Sequence, residues 1–176
     1  MVKLFVFIGV LSLVLFSCGI FDDKLSLEKR PFDGRQLRID GYYYTSWNVG
    51  EKERYDTYFL YRNGVLLNGA SFLKEDKLKK EQEFKDGTYH KRSDVKYTWG
   101  VFDIVGDSIV FERWYPSEKP HRAYIRAGKI LNDTTFIITE SYRMRFDRKT
   151  SHREREEVYH FRELSPKPDS TNRFVD

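Results

Sequence analysis

From residue 37 to residue 164 the chain repeats one pattern: stretches rich in Tyr, Phe, Val, Ile and Thr, with apolar and polar side chains alternating, each closed by a short turn signal. Period-two alternation sends successive side chains to opposite faces of an extended strand, and aromatic and β-branched residues favour that half-buried surface. Eight strands are predicted, at about 37–46, 54–62, 65–73, 95–105, 108–115, 122–131, 134–145 and 155–164. Asn63-Gly64, Gly106-Asp107 and Asn132-Asp133 mark tight hairpins, which force neighbouring strands to run antiparallel.

The stretch 74–92 breaks the alternation and is highly charged, with apolar residues only at Leu78 and Phe84 up to that point. Lys, Glu, Leu and Gln favour a helix, and Asp86-Gly87 would stop one. The pattern fits a short helix over 74–85 or a solvated loop equally well.

Eight antiparallel strands must bury one face and hide their edges, and rolling the sheet into a barrel does both. A two-sheet sandwich usually needs long cross-sheet connections, whereas most connections here are short. The fold expected is therefore all-β, an eight-stranded up-and-down antiparallel barrel. Across the Gly106-Asp107 hairpin, alternation turns Gly100, Phe102, Ile104, Ile109 and Phe111 inward and leaves Asp103 and Glu112 outside. Leu37, Ile39, Gly41 and Tyr43 read inward on the first strand, as do Tyr159 and Phe161 on the last.

The chain has 176 residues, enough for one domain with a real core, and its net charge of +4 comes from interspersed basic and acidic residues. Such a small excess argues against nucleic-acid binding. One Cys excludes an intrachain disulfide framework and a Cys-based zinc site. That residue, Cys18, follows Lys3 and a nearly unbroken apolar run of 13 residues from Leu4 to Phe16, short for a membrane-spanning helix. Leu15-Phe16-Ser17-Cys18-Gly19 resembles a bacterial lipobox, although Phe16 replaces the commoner small residue. The resemblance implies cleavage before Cys18 and attachment of diacylglycerol and further acyl chains such as palmitate, since two or three chains anchor durably where one does not. Asp22 and Asp23 resemble the acidic surface-export signal of Bacteroidetes lipoproteins. The expected organisation is a signal peptide over 1–17, a tether over 18–36, the barrel over 37–164 and a disordered tail over 165–176.

Three segments carry a further resemblance. Leu37-Arg38-Ile39-Asp40-Gly41-Tyr42-Tyr43 looks like the first strand of lipocalin-like proteins, with Gly followed two residues later by an aromatic. The runs from Trp99 to Ile109 and from Gly128 to Phe136 resemble strand pairs of bacterial lipocalin-like lipoproteins, and Tyr159-His160-Phe161-Arg162 resembles their closing strand. Tyr43 stands where many lipocalins carry Trp, and no lipocalin disulfide is available.

The nucleophile elbow, the zinc-protease helix motif and the dinucleotide-binding fingerprint are absent, so no catalytic residue and no cofactor are expected. His90, His121, His152 and His160 share no ligand spacing, so no metal site is expected either. Arg143, Arg145, Arg148, Lys149, Arg153 and Arg155 cluster between the last two strands, with His121, Arg122 and Arg126 on a neighbouring strand. They read as a solvated loop balanced by Asp147, Glu154, Glu156 and Glu157, or as a cationic mouth for anionic ligands or headgroups.

Two non-enzymatic functions follow. In the first, a barrel tethered to the bacterial envelope by its N-terminal lipid binds a small apolar or amphipathic ligand in a cavity lined by Tyr43, Phe59, Phe102, Phe111 and Phe161. In the second, those rings fill a solid core, and exposed Tyr42, Tyr44, Trp99 and Trp114 form a contact face within an envelope protein complex, since Tyr and Trp are favoured contact residues. The anchor has a direct check: Cys18→Ala should move the protein from the membrane to the soluble fraction on fractionation, and continued membrane retention would contradict lipidation.

Overall fold

The structure is a computed structural model that describes residues 21–89, 95–117 and 119–175. Cys18 and His90 lie outside the described residues. Eight antiparallel strands close into a barrel in up-and-down order. They are β1 (Gly41–Val49), β2 (Lys52–Leu60), β3 (Val65–Leu73), β4 (Trp99–Val105), β5 (Ser108–Tyr115), β6 (Arg122–Asn132), β7 (Thr135–Arg145) and β8 (Arg148–Glu163). The seam joins β1 to β8 with Tyr43 opposite Phe161. At its end the two backbones approach so closely that a Cβ on Gly41 would sit 2.0 Å from the Arg162 carbonyl oxygen, so only glycine fits there.

The charged stretch contains a helix, α1 (Lys77–Lys85), which ends at Asp86-Gly87 as its sequence dictates. The Gly106-Asp107 hairpin has the expected two-residue turn, with Val105 opposite Ser108. At Asn63-Gly64 the Tyr61 N–H donates to Val65 O (3.0 Å), making a longer turn in which Gly64 takes the left-handed conformation at φ +80°. Three boundaries differ from expectation. The first strand begins at Gly41 because residues 37–40 cross the barrel end, where Leu37 is buried and Arg38 N–H donates to Asp133 O. The connection from residue 74 to residue 98 is longer than expected, and β4 starts at Trp99 after a 3-10 turn over Lys96–Thr98. The last strand starts at Arg148, since the basic cluster is the arm of a two-residue hairpin and its charged side chains carry no apolar alternation to announce a strand.

The wall buries both faces along much of its circumference. Inside, Tyr43, Tyr58, Leu60, Leu66, Phe102, Ile109, Phe111, Phe136, Ile138 and Tyr159 form one apolar cluster. Outside, Tyr42, Phe59, Phe72, Trp99 and Trp114 form a second, covered by Phe84 of α1, by Tyr89 and by chain-terminal residues including Leu25, Leu27 and Val175. Phe59 therefore belongs to the outer core and lines no cavity: its alternation phase points outward, and its ring centroid lies 5.0 Å from that of Phe84. Tyr42, Trp99 and Trp114 likewise face out but are buried under this cover, and Tyr44 is half-buried. The contact face expected of them is thus already occupied by the chain itself.

The segments expected as tether and free tail lie against the barrel over residues 21–36 and 165–175. Phe32 is buried, and the Ser26 and Leu27 N–H groups donate to Glu112 at 2.6 and 2.7 Å. Glu112 is outward as expected, yet buried beneath this segment. Tyr61 donates to Pro168 O (2.8 Å), and Lys167 Nζ donates to the carbonyls of Ile39 (2.6 Å) and Leu60 (2.9 Å). Burial pushes the Lys167 ammonium down to about 8. Glu81 of α1 accepts a hydrogen bond from Tyr42 (2.7 Å) and pairs with Arg162, fixing the helix over the outer cluster. Phe84→Ala should cost about 3–5 kcal/mol in denaturant unfolding, as for other buried Phe truncations. A loss below about 1 kcal/mol would show that α1 does not cover a packed core.

Candidate functional site

The barrel interior changes character along its length. On β5 the inward residues are Ile109, Phe111 and Arg113 in succession. On β2 they are Leu60, Tyr58 and Asp56, and on β8 they are Phe161, Tyr159, Glu157 and Arg155. One half is therefore apolar and the other charged, with Tyr58, Phe111 and Tyr159 at the boundary.

The apolar half is packed ring against ring. Tyr43 lies 5.0 Å from Phe136 and 5.4 Å from Phe161, Tyr58 lies 5.1 Å from Phe111, and Phe136 stacks on Tyr159 at 4.8 Å. The Tyr43 hydroxyl donates to the carbonyls of Arg38 (3.0 Å) and Asp133 (3.1 Å), tying the strand to the chain that crosses the barrel end. Phe32 and Leu37 join this cluster and seal that end. Of the residues proposed from the sequence as cavity lining, Tyr43, Phe102, Phe111 and Phe161 thus face inward together, but they fill the space rather than surround it. Phe102 also borders a notch of about 150 Å³ beside Phe32.

The free space lies at the charged end. The β3–β4 ladder holds for three pairs, from Val65 opposite Val101 to Leu67 opposite Trp99. Beyond it the strands part around a bulge: the β2–β3 register shifts at Thr57/Tyr58, Ala70 takes φ +74°, and Asn68 Oδ1 accepts the Ala70 N–H at 2.7 Å. Between this bulge and the turn before β4 lies a cavity of about 540 Å³, bordered by Asp56, Asn68, Ser71, Tyr97, Thr98 and Arg113. A trough of about 650 Å³ elsewhere runs between the two terminal segments, with Lys96, Trp114 and Phe174 among its borders, and it draws on little of the barrel interior.

Two charged groups, Arg113 and Asp56, face the cavity with no salt-bridge partner among the described residues. Arg113 is buried; its Nε donates to the Tyr58 hydroxyl (3.2 Å) and its Nη1 to the carbonyls of Tyr97 (3.2 Å) and Trp114 (3.1 Å). Its guanidinium stacks 4.0 Å over the Tyr115 ring. Among the described residues Nη2 has no acceptor, leaving two N–H donors for a ligand. Asp56 makes no ion pair among the described residues, and burial, only partly offset by Arg113 and Arg126, pushes its carboxyl above the usual aspartate range. Deeper in, Arg126 and Glu157 form a two-bond pair at 2.8 and 3.1 Å, and Arg126 also donates to Tyr159 at 2.9 Å. The buried Nε atoms of Arg126 and Arg155 lack partners among the described residues. No group of three or more His, Cys, Asp or Glu among the described residues is placed to hold a metal.

Comparison with known proteins finds no matching family model, no matching curated protein and no matching solved structure.

The sequence reading missed Asp56, Asn68 and Arg113, although a signal existed. Arg113 continues the inward phase of Ile109 and Phe111, and Asp56 continues that of Tyr58. An acid whose pKa rises on folding lowers stability once the pH passes its ordinary value of 3.8, and the loss grows until the folded value is reached. Asp56→Asn should therefore raise Tm near pH 7 and leave it unchanged at about pH 3. A lower Tm near neutral pH would show that the carboxylate is paired rather than unmatched.

Proposed function

We propose that this chain is a non-enzymatic, lipid-anchored protein of the bacterial envelope, lipocalin-like in kind, whose barrel binds a small amphipathic ligand at its charged end. The observation that carries the reading is the cavity between β3 and the turn before β4, with Arg113 offering unused donors and Asp56 an unmatched carboxylate. Buried polar groups without partners are costly, and a fold keeps them where another molecule supplies the partner. A cavity of about 540 Å³ falls within the range of small-molecule sites. Tyr97 and Val95 at its border offer apolar contact to the rest of the ligand. The lipid attachment rests on the sequence around Cys18, and the ligand site differs in position from the aromatic lining first expected.

Native mass spectrometry of protein purified from its own host membranes tests the reading. A small molecule should co-purify with the folded protein. Arg113→Gln should weaken its retention about 10- to 100-fold, as expected for losing a hydrogen bond to a charged group. Near-UV circular dichroism would verify that the variant remains folded. Protein that stays empty under conditions where the barrel is intact would contradict ligand binding.

A further inference from the structure

The β7–β8 hairpin reaches past the barrel wall. The β6–β7 ladder stops at Ile125 opposite Tyr142, and the β1–β8 ladder stops at Tyr44 opposite His160. Strands β7 and β8 continue to pair as far as Arg145 opposite Arg148. The end of this hairpin is therefore a two-stranded arm, and its tip is the turn Phe146-Asp147.

Three features of the arm call for an explanation. First, Phe146 is 89 % exposed, the most exposed of the large hydrophobic side chains among the described residues. It also sits at φ +48°, followed by Asp147 at φ +58°. A two-residue turn with both residues in the left-handed region favours Asn and Gly, and a bulky aromatic there is strained. Folding alone gains nothing from an exposed ring in a strained turn. Second, residues 143–152, the part of the hairpin beyond Tyr142, carry four basic side chains, Arg143, Arg145, Arg148 and Lys149, and one acidic one, Asp147. Arg143 pairs with Asp23 at 2.7 Å and Lys149 with Glu140 at 2.9 Å, but Arg145, Arg148 and Arg153 make no ion pair among the described residues. Third, the arm stands where the N-terminal segment meets the barrel. Asp23 accepts from Arg143 (2.7 Å), Arg122 (3.1 Å) and the Ala123 N–H (3.0 Å), and its own N–H donates to His121 O (2.9 Å). Burial opposes its charge, yet these bonds outweigh it and hold the Asp23 carboxyl below the usual range. Exposed Phe21 precedes this clasp, and Cys18 is five residues from Asp23, at most roughly 18 Å of extended chain.

We infer that the β7–β8 arm is a membrane-docking finger that places Phe146 in the interfacial layer of an anionic lipid surface and sets Arg145 and Arg148 on its phosphates. An aromatic ring in a turn with Arg145 before it and Arg148 after it suits that layer: the ring buries apolar area among the upper acyl chains while the guanidinium groups, outnumbering Asp147, stay with the headgroups. The membrane is favoured over a protein partner because the charge without ion-pair partners around this single apolar tip is mainly positive, Arg145 and Arg148 against Asp147 alone. The arm would hold the charged end of the barrel toward the bilayer. The inference does not depend on the ligand reading or on lipidation at Cys18.

The test uses residues 21–176, which contain every element described and no acylation site. Co-sedimentation is measured with vesicles of phosphatidylcholine alone and of phosphatidylcholine with roughly one third phosphatidylglycerol. The chain should sediment with the anionic vesicles, stay in solution with the neutral ones, and dissociate as salt screens the headgroups. Asn adopts the left-handed turn readily, so Phe146→Asn should keep or raise Tm while weakening vesicle binding about 10-fold. Replacing both Arg145 and Arg148 by Glu should weaken it by more than about 20-fold. The inference is overturned if the wild-type chain ignores anionic vesicles, as it would if the arm served a protein or a second copy of the chain. It is equally overturned if neutral vesicles bind as well, or if Phe146→Asn binds like wild type.

Discussion

A closed wall of eight strands has a fixed amount of room inside, and what fills it decides everything else about this protein. Large rings fill the available width at one end. Tyr43, Phe102, Phe111, Phe136 and Phe161 interlock there, and Phe32 and Leu37 stopper the opening. The same strands carry Asp56, Arg113, Arg126 and Glu157 at the other end, where charged groups cannot pack as rings do and need partners or solvent. Arg126 and Glu157 satisfy one another; Arg113 and Asp56 leave hydrogen-bonding capacity facing the cavity. The barrel is thus solid at one end and open at the other, with the division made by side-chain size and charge along single strands.

The wall must also dispose of its outer face. Tyr42, Phe59, Trp99 and Trp114 would leave a large apolar patch exposed, and the chain covers it with α1 and both terminal segments. The cover is secured by polar contacts at its margins: Glu81 with Tyr42 and Arg162, Glu112 with the backbone of Ser26 and Leu27, Lys167 with two carbonyls at the sealed end. Asp22 and Asp23 take part as well. Asp22 accepts the His121 N–H at 2.7 Å and pairs with Lys96 at 3.0 Å, and Asp23 joins Arg122 and Arg143. The acidic pair after Cys18 therefore has a structural task as docking residues, whatever further role it serves.

Much of the barrel was legible because alternation is a local signal. Gly100, Phe102, Ile104, Ile109 and Phe111 turn inward as the Gly106-Asp107 hairpin dictates, and the turn residues set most strand junctions. The pattern failed where both faces of a strand have similar polarity. Residues 148–154 are charged or polar on both faces, so nothing marked them as strand. It failed in the opposite way at Phe59 and Trp99, where a wall apolar on both sides gives alternation no power to separate core from surface. The site needed long-range information. Arg113 and Asp56 lie on strands that are not neighbours, and the cavity opens where β3 and β4 part after Leu67, beside the Ala70 bulge that short-range pattern does not announce.

The central claim is that the charged end of the barrel keeps an open space in which Arg113 and Asp56 await a third partner. A crystal structure of the purified protein at a resolution that shows ordered solvent tests this most directly. The account predicts a ligand or well-ordered waters bonded to Arg113 Nη2 and to the Asp56 carboxyl between β3 and the turn before β4. A direct Arg113–Asp56 salt bridge with the surrounding side chains collapsed onto it would contradict the account.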